Sequence, residues 1–142
     1  MSEKGLIKRI AYNVIANDFK AAGKSSSNIK NNLKAIGIDA IILRKIAIIS
    51  YEAEINIVIH SYGGNLYCDL YEDKIEIISE DRGPGIPDIE KAMSEGFSTA
   101  SESVRELGFG AGMGLPNMKR YSDGFEIESS ENGTIIKITI LV

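Results

Sequence analysis

The stretch AIILRKIAIISYEAEINIVIHS, residues 40–61, contains neither glycine nor proline and is apolar around most of a helical circumference. It is long enough for one continuous helix, which burial must stabilise because its many isoleucines are only moderate helix formers. Glu52 and Asn56 lie about 40° apart on this helix. Three more polar residues cluster on roughly the opposite side: Ser50, Glu54 and Ser61. The stretch therefore predicts a central helix with two polar sides, of which one can face water.

Composition limits the class of protein. With 142 residues, 44% of them apolar, we expect residues 1–142 to form a single domain. The chain has no run of about 18 apolar residues and no basic-then-apolar N-terminal pattern, which predicts a cytoplasmic protein that binds no membrane. One cysteine and one histidine exclude a Cys/His metal cluster. A net charge of -4 gives no polycationic surface, so we expect no nucleic-acid partner.

The remaining pattern predicts an α+β fold. Alternating apolar residues and turn signals predict strands at residues 6–15, 66–71, 74–80, 125–129 and 134–141. Helices are predicted at residues 28–36, 40–61, 89–93 and 115–121, the first of them capped by the hydroxyls of residues 25–27. Asn132-Gly133 predicts the centre of the last hairpin turn. This order indicates a two-layer sandwich, with helices on one face of a mixed, mostly antiparallel sheet.

Glu52 and Asn56 are the first candidate site residues. A carboxylate and an amide packed between Ile48, Ile49 and Ile59 would be costly to bury without partners. One interpretation is a hydrogen-bonded pair that ties down a loop. The other is a binding site, in which the two side chains project into a cavity that holds a hydrated cation.

The second candidate is the turn Asp81-Arg82-Gly83-Pro84-Gly85, which directly follows a predicted strand. Two glycines around a proline form a tight turn without side-chain bulk, against which a flat ligand can lie while Asp81 accepts a hydrogen bond from it. An ordinary loop explains the same residues, because glycine and proline mark loops in most proteins.

The third candidate is GFGAGMG, residues 108–114, directly before a predicted helix. Glycines at alternate positions let backbone N–H groups converge, and the following helix N-terminus adds partial positive charge, as in a phosphate cradle. The run lacks the lysine and hydroxyl of a P-loop and opens no βαβ unit. A surface loop is the alternative interpretation.

In this order, the three motifs resemble those of the GHKL (Bergerat-fold) ATPases, from about residue 6 to the C-terminus. The matching pattern is Glu-x-x-x-Asn on a helix, Asp-x-Gly-x-Gly after a strand, glycines before a helix, and Gly133-Thr134 before the last strand. Ile59-His60-Ser61-Tyr62 and Gly96-Phe97-Ser98-Thr99 are similar to segments of the anti-sigma-factor serine kinases. Residues 83–89 and 114–120 resemble the stressosome-associated switch kinases.

The resemblance implies a role for each matching residue. It implies that Glu52 is the general base, that Asn56 binds the magnesium of Mg-ATP, and that Asp81 recognises the adenine amino group with support from Thr134. Gly83 and Gly85 would make room for the base. The lid would span residues 98–107. The other residues implied in nucleotide binding are Ser98, Thr99, Arg105, Gly110, Gly112, Gly114 and Leu115.

The resemblance also implies an activity and partners. It implies an ATP-dependent serine/threonine protein kinase that phosphorylates a small STAS-type antagonist protein, with a sigma factor as a further partner. The alternative is an ATP-dependent switch that binds its partner with little or no phosphoryl transfer. Arg105 would contact the γ-phosphate or the partner. By analogy we also expect a homodimer formed through the N-terminal segment.

Overall fold

A five-stranded sheet forms one layer of the protein in the computed structural model, which describes residues 5–86, 89–93 and 114–142. The strand order is β1-β2-β3-β5-β4, and all four pairs of neighbours run antiparallel. The strands are β1 Lys8–Val14, β2 Gly64–Leu70, β3 Lys74–Asp81, β4 Gly124–Ser130 and β5 Gly133–Leu141. The final hairpin therefore places β5 beside β3 and leaves β4 at the edge.

The described helices are α1 Lys24–Ala35, α2 Ala40–His60, α3 Ile89–Ala92 and α4 Gly114–Arg120. Together with the apolar side of the sheet, α1, α2 and α4 enclose the core. Side chains fully buried there include Leu33 of α1, Ile57 of α2, Met118 of α4, and Cys68 and Ile77 of the neighbouring strands β2 and β3. The predicted two-layer α+β arrangement is confirmed. Within the described residues, the chain has no helix with both the length and the apolar character needed to cross a membrane.

The central helix α2 begins at Ala40 and ends at His60, close to its predicted bounds. Asp39 caps its N-terminus by accepting a hydrogen bond from the Ile41 amide at 3.0 Å. Ser61 follows it in an extended conformation. Gly64 then starts β2, where an added Cβ would collide with the backbone oxygen of Glu80. This close approach explains why the first residue of β2 is a glycine.

The polar side of α2 that lies deepest carries Ser50 and Glu54 and continues to Ser61 just after the helix, and each of the three is less than one tenth exposed. Glu52 and Asn56 lie on a half-buried side instead. The serine hydroxyls each donate to a carbonyl one turn back on the helix at 2.6 Å. The free-energy cost of burying a polar side chain, which the sequence assigned to Glu52 and Asn56, therefore applies mainly to Glu54.

Glu54 caps α1 from across the core. Its carboxylate accepts from the backbone amides of Gly23 at 3.0 Å, Ser25 at 3.3 Å and Ser26 at 2.9 Å. The helix consequently starts at Lys24, four residues before its predicted start at Asn28. The prediction of a cap from the serine hydroxyls is wrong, because Gly23 is the N-cap residue and makes no side-chain cap hydrogen bond. A carboxylate supplies the negative charge that a helix N-terminus favours.

The β4–β5 hairpin turns one residue earlier than its sequence predicts. Ser130 pairs with Gly133, so Glu131 and Asn132 occupy the centre of the turn. Gly133 is the first residue of β5 and has a φ of 147°. An added Cβ there would collide with the Asp81 backbone oxygen. Glycine is thus required where the hairpin meets the end of β3, rather than in the turn itself.

The opposite face of the sheet is not covered by the described helices and carries paired charges. Arg9 on β1 donates two hydrogen bonds to Asp69 on β2, at 2.7 and 2.8 Å, and its guanidinium lies 4.5 Å from the centre of the Tyr67 ring. Glu76 on β3 lies 3.3 Å from the Lys137 ammonium. Longer side chains thus cover two carboxylates that are almost fully buried.

Candidate functional site

Glu52 and Asn56 lie one turn apart on the part of α2 that packs against α4. The Asn117 side chain on α4 donates from Nδ2 to Glu52 Oε2 at 2.9 Å. An added Cβ on Gly114 would lie 3.3 Å from Asn56 Oδ1. The start of α4 therefore contacts both candidate residues, and a glycine at its first position keeps bulk away from the Asn56 oxygen.

Buried side chains fix the position of α4 against α2. Leu115 is 7% exposed and Met118 is fully buried, so two neighbours of Asn117 are anchored in the core. The predicted start at Leu115 differs from the observed start at Gly114 by one residue. With its backbone held in this way, the Asn117 amide is presented to Glu52 by a well-packed element.

Asp81 is the last residue of β3 and lies beside the start of β5. The Thr134 backbone amide donates to Asp81 Oδ1 at 3.0 Å. Burial raises the pKa of Asp81, because a half-buried carboxylate loses hydration, and the hydrogen bond from Thr134 acts in the opposite direction. Thr134 is itself buried. A hydrogen bond to one of its two carboxylate oxygens, Oδ1, thus holds the Asp81 side chain in place.

The two glycines after Asp81 make close contact with the β4–β5 hairpin. An added Cβ on Gly83 would lie 2.8 Å from the Glu131 backbone oxygen, and one on Gly85 would collide with the backbone oxygen of Ser130. Gly85 also has a φ of 83°, which favours glycine. Approach of the hairpin therefore requires glycine at both positions. The space that they would leave for a nucleotide base stays a prediction.

Ser129 joins this turn to Thr134. Its hydroxyl accepts from the Ile86 backbone amide at 2.7 Å and forms a 2.8 Å hydrogen bond with the Thr134 hydroxyl. Gly83 adds a backbone hydrogen bond to Asn132 of the hairpin at 3.2 Å. A network of short polar contacts thus fixes the turn against β4 and β5, directly beside Asp81.

A cavity of about 290 Å³ opens between the end of β3 and the β4–β5 hairpin. Its lining includes Asp81, Gly133 and two further carboxylates, Glu80 and Glu128, but neither Glu52 nor Asn56. Like charges repel, so a wall with these acidic groups does not suit a triphosphate. Because neither Glu52 nor Asn56 lines it, this cavity does not connect Asp81 with the two candidate residues on α2.

Residues 16–140 match the family described as the histidine kinase-like ATPase domain. The chain belongs to this family. The identification of a GHKL-type domain from its three motifs is confirmed.

Several relatives of this histidine kinase-like ATPase domain are named as anti-sigma regulators. The chain is 35% identical over 104 residues to the serine/threonine-protein kinase RsbT of Bacillus subtilis, covering 70% of this chain and 72% of the relative. It is 36% identical over 92 residues to an anti-sigma F factor of Clostridium novyi, covering 60% and 61% of the two chains. The match thus spans less than two thirds of the anti-sigma F factor.

Among solved structures, the domain is similar to a chain of the SiaB-SiaC complex from Pseudomonas aeruginosa. The TM-score is 0.57 with 10% sequence identity, and the similarity covers 96% of this chain and 89% of the other. At this level of identity the likeness concerns the fold. It agrees with the sheet and helices described above.

Some predicted site residues of the ATPase domain lie outside the described residues. They are Ser98, Thr99, Arg105, Gly110 and Gly112. The structure describes the other predicted residues and brings them into two groups, one at the α2–α4 contact and one at the end of β3. Glu52, Asn56, Gly114 and Leu115 belong to the first group, and Asp81, Gly83, Gly85 and Thr134 to the second.

The chain's single histidine and single cysteine belong to neither of these two groups. Burial lowers the pKa of His60, which favours the neutral imidazole. Cys68 is fully buried, and burial raises the pKa of its thiol to about 12. A neutral imidazole and a protonated, buried thiol are typical of side chains that serve packing.

Sequence reasoning missed Asn117 and Ser129. Asn117 is a polar residue between two positions of a short helix that prove to be buried, and its contact with Glu52 joins residues far apart in the chain. Ser129 has a stronger signal, because hairpin pairing places it opposite Thr134. A correct hairpin register would have identified it from the sequence.

Proposed function

We propose that this domain is an ATP-dependent serine/threonine protein kinase of the anti-sigma regulatory type, with residues 1–142 acting as one unit. The observation that carries the proposal is the position of Glu52 and Asn56 on one half-buried side of α2, next to a glycine whose added Cβ would lie 3.3 Å from the Asn56 oxygen. The relative named as a serine/threonine-protein kinase supports the same chemistry.

In the proposed reaction, Glu52 serves as the general base. A serine or threonine hydroxyl oxygen of the partner protein forms a bond to the γ-phosphorus of ATP. The bond from that phosphorus to the bridging oxygen breaks, and its electron pair leaves with ADP. The hydroxyl proton passes to the Glu52 carboxylate, so atoms and charge balance.

The residues present fit a magnesium ion held mainly by its substrate. Within residues 5–86, 89–93 and 114–142, no group of three or more His, Cys, Asp or Glu side chains could hold a metal. Mg²⁺ commonly takes few protein ligands together with phosphate oxygens and water. Asn56 Oδ1 would supply one such ligand. When bound, the ion neutralises charge on the phosphates.

Asp81 would hold the adenine end of the nucleotide. Thr134 occupies Oδ1, which leaves Oδ2 to accept from the adenine amino group. Gly83 and Gly85 place a backbone turn beside this carboxylate, and Ser129 fixes that turn. Ser98, Thr99, Arg105, Gly110, Gly112 and Leu115 complete the proposed nucleotide site.

The proposed substrate is a small STAS-type antagonist protein, and a sigma factor is a further proposed partner. Relatives named as anti-sigma F factors support the sigma factor as a partner.

We also propose a cytoplasmic homodimer. Sedimentation at tens of micromolar should show a dimer, and a monomer there would refute that part.

The kinase proposal is tested with magnesium, ATP and a STAS protein encoded beside the gene. Phosphoserine or phosphothreonine should form on the STAS protein, and the Glu52→Ala variant should bind ATP but transfer little phosphate. An absence of transfer by the wild-type protein to any such partner would contradict the proposal.

The second candidate function is an ATP-dependent switch that binds its partner without efficient transfer. The similarity to proteins named only as anti-sigma factors favours it. Glu52→Ala distinguishes the two functions. In a switch, regulation of the partner should survive this substitution, whereas a kinase should lose it.

A further inference from the structure

Asn117 makes the one side-chain hydrogen bond to Glu52 recorded among the described residues, at 2.9 Å between Nδ2 and Oε2. An ionised carboxylate can only accept hydrogen bonds, so the amide must face it with its NH2 group. The opposite orientation would bring the amide oxygen against the carboxylate. The chemistry of the pair thus fixes which end of the Asn117 side chain contacts Glu52.

The geometry restrains this donor. Leu115 and Met118 anchor α4 in the core, and the Tyr121 amide donates to the Asn117 carbonyl at 3.2 Å. Glu52 projects from α2, the longest described helix, which the core also holds in place. A hydrogen bond between two restrained elements limits rotation of a long glutamate side chain, which would otherwise sample several rotamers.

We propose that Asn117 is a positioning residue that holds Oε2 of Glu52 and so presents Oε1 to the substrate hydroxyl. This inference rests on the proposed role of Glu52 as general base. Asn117 does not contact the reacting atoms. It acts through Glu52, by keeping the base within reach of the proton that the base must accept.

The kinetic test compares wild type, Asn117→Ala, Asn117→Asp and the control Lys119→Ala, an exposed position on the same helix. Asn117→Ala should lower kcat for phosphoryl transfer by roughly 10- to 100-fold, while KM for ATP and for the partner stays within about two-fold. Asn117→Asp should lower it at least as much, because two carboxylates then face each other. Lys119→Ala should retain wild-type kcat.

A second measurement detects the hydrogen bond without activity. The side-chain amide resonance of Asn117 should shift in Glu52→Ala, and it should not shift in Lys119→Ala. Thermal unfolding of each variant separates positioning from a loss of fold.

The outcomes separate this inference from the proposed function. An inactive Glu52→Ala together with unchanged kcat in Asn117→Ala would overturn the positioning role and leave the base in place. Full transfer by Glu52→Ala would overturn the role of Glu52 itself. A fall in nucleotide affinity equal to the fall in kcat would assign Asn117 to binding and also overturn the inference.

Discussion

Asp81 is the residue whose chemistry makes the most direct prediction about nucleotide binding. Replacing it by asparagine keeps an acceptor for the Thr134 amide but removes the negative charge that the adenine amino group would meet. Hydrogen bonds to charged groups contribute about 1.5–3 kcal/mol, so we expect ATP affinity to fall by about 10-fold or more with little change in stability. Calorimetry on Asp81→Asn, with the exposed Asp73→Asn as control, measures this difference. Equal affinity in all three proteins would refute the assignment.

The same carboxylate predicts how ATP binding depends on pH. Burial raises the pKa of Asp81 above its usual value near 3.8, so protonation begins at a higher pH than for an exposed aspartate. The ionised form accepts from adenine, and ATP affinity should therefore fall as the pH is lowered toward that raised pKa. The folded state binds this proton more readily than the unfolded state, so protonation itself favours folding. A titration of affinity from pH 8 downward, over the range in which the protein stays folded, should show the loss in wild type, and the component that arises from Asp81 should be absent from Asp81→Asn.

The hydroxyl of Ser129 on β4 links the turn after Asp81, through Ile86, to Thr134 on β5. Ser129→Ala removes the acceptor of the Ile86 amide and the partner of the Thr134 hydroxyl, which should lower the free energy of unfolding by about 1 kcal/mol. ATP affinity should fall as well, because the turn after Asp81 is released. Ser122→Ala, at a serine whose hydroxyl donates to the carbonyl of Lys119 three residues back, is the matched control. A stability equal to that of the control would show that the link is weak.

Between elements, Glu54 is the main contact that fixes the N-terminus of α1. Glu54→Ala leaves three backbone amides without their acceptor in the core, and we expect a loss of at least about 2 kcal/mol in the free energy of unfolding. Urea unfolding measures the loss. Glu131→Ala removes an exposed carboxylate at the hairpin tip and should change stability little. A similar small effect for both variants would contradict the capping role.

Gly133 determines how the last hairpin meets β3. Gly133→Ala adds a Cβ against the Asp81 backbone oxygen at a positive φ, and should destabilise the fold by more than about 1 kcal/mol. Gly124→Ala is the control, since its Cβ would approach only the Thr139 side chain, at 3.3 Å. Thermal unfolding should separate the two variants clearly. Equal stabilities would mean that the contact with Asp81 relaxes without cost.

Comparison of these elements shows which part of the fold could be predicted from sequence. The absence of glycine and proline defined α2, and alternation defined the strands, because both signals are local. The start of α1 could not be found this way, since its cap comes from Glu54, about 30 residues away in the chain. The hairpin turn was placed one residue late because Gly133 serves a contact with β3. Glu52, Asn56 and Asp81 could be proposed as candidates from their places on a helix and at a strand end, whereas the contact of Asn117 with Glu52 depends on helix packing that no local pattern records.

For the molecule as a whole, Cys68 provides a measure of global opening. It is the single cysteine, it lies fully buried on β2, and burial raises the pKa of its thiol to about 12. At pH 8 the folded protein therefore holds almost no thiolate, while an unfolded chain titrates near the ordinary value of about 8.5. A disulfide reagent should react slowly with the folded protein and rapidly in denaturant.

Saturating Mg-ATP should slow the folded-state reaction further, because a ligand that binds only the native state lowers the population of open molecules. Asp81→Asn should weaken that protection by ATP without changing the rate in its absence. Fast labelling of the native protein would show that β2 opens independently of the rest of the core.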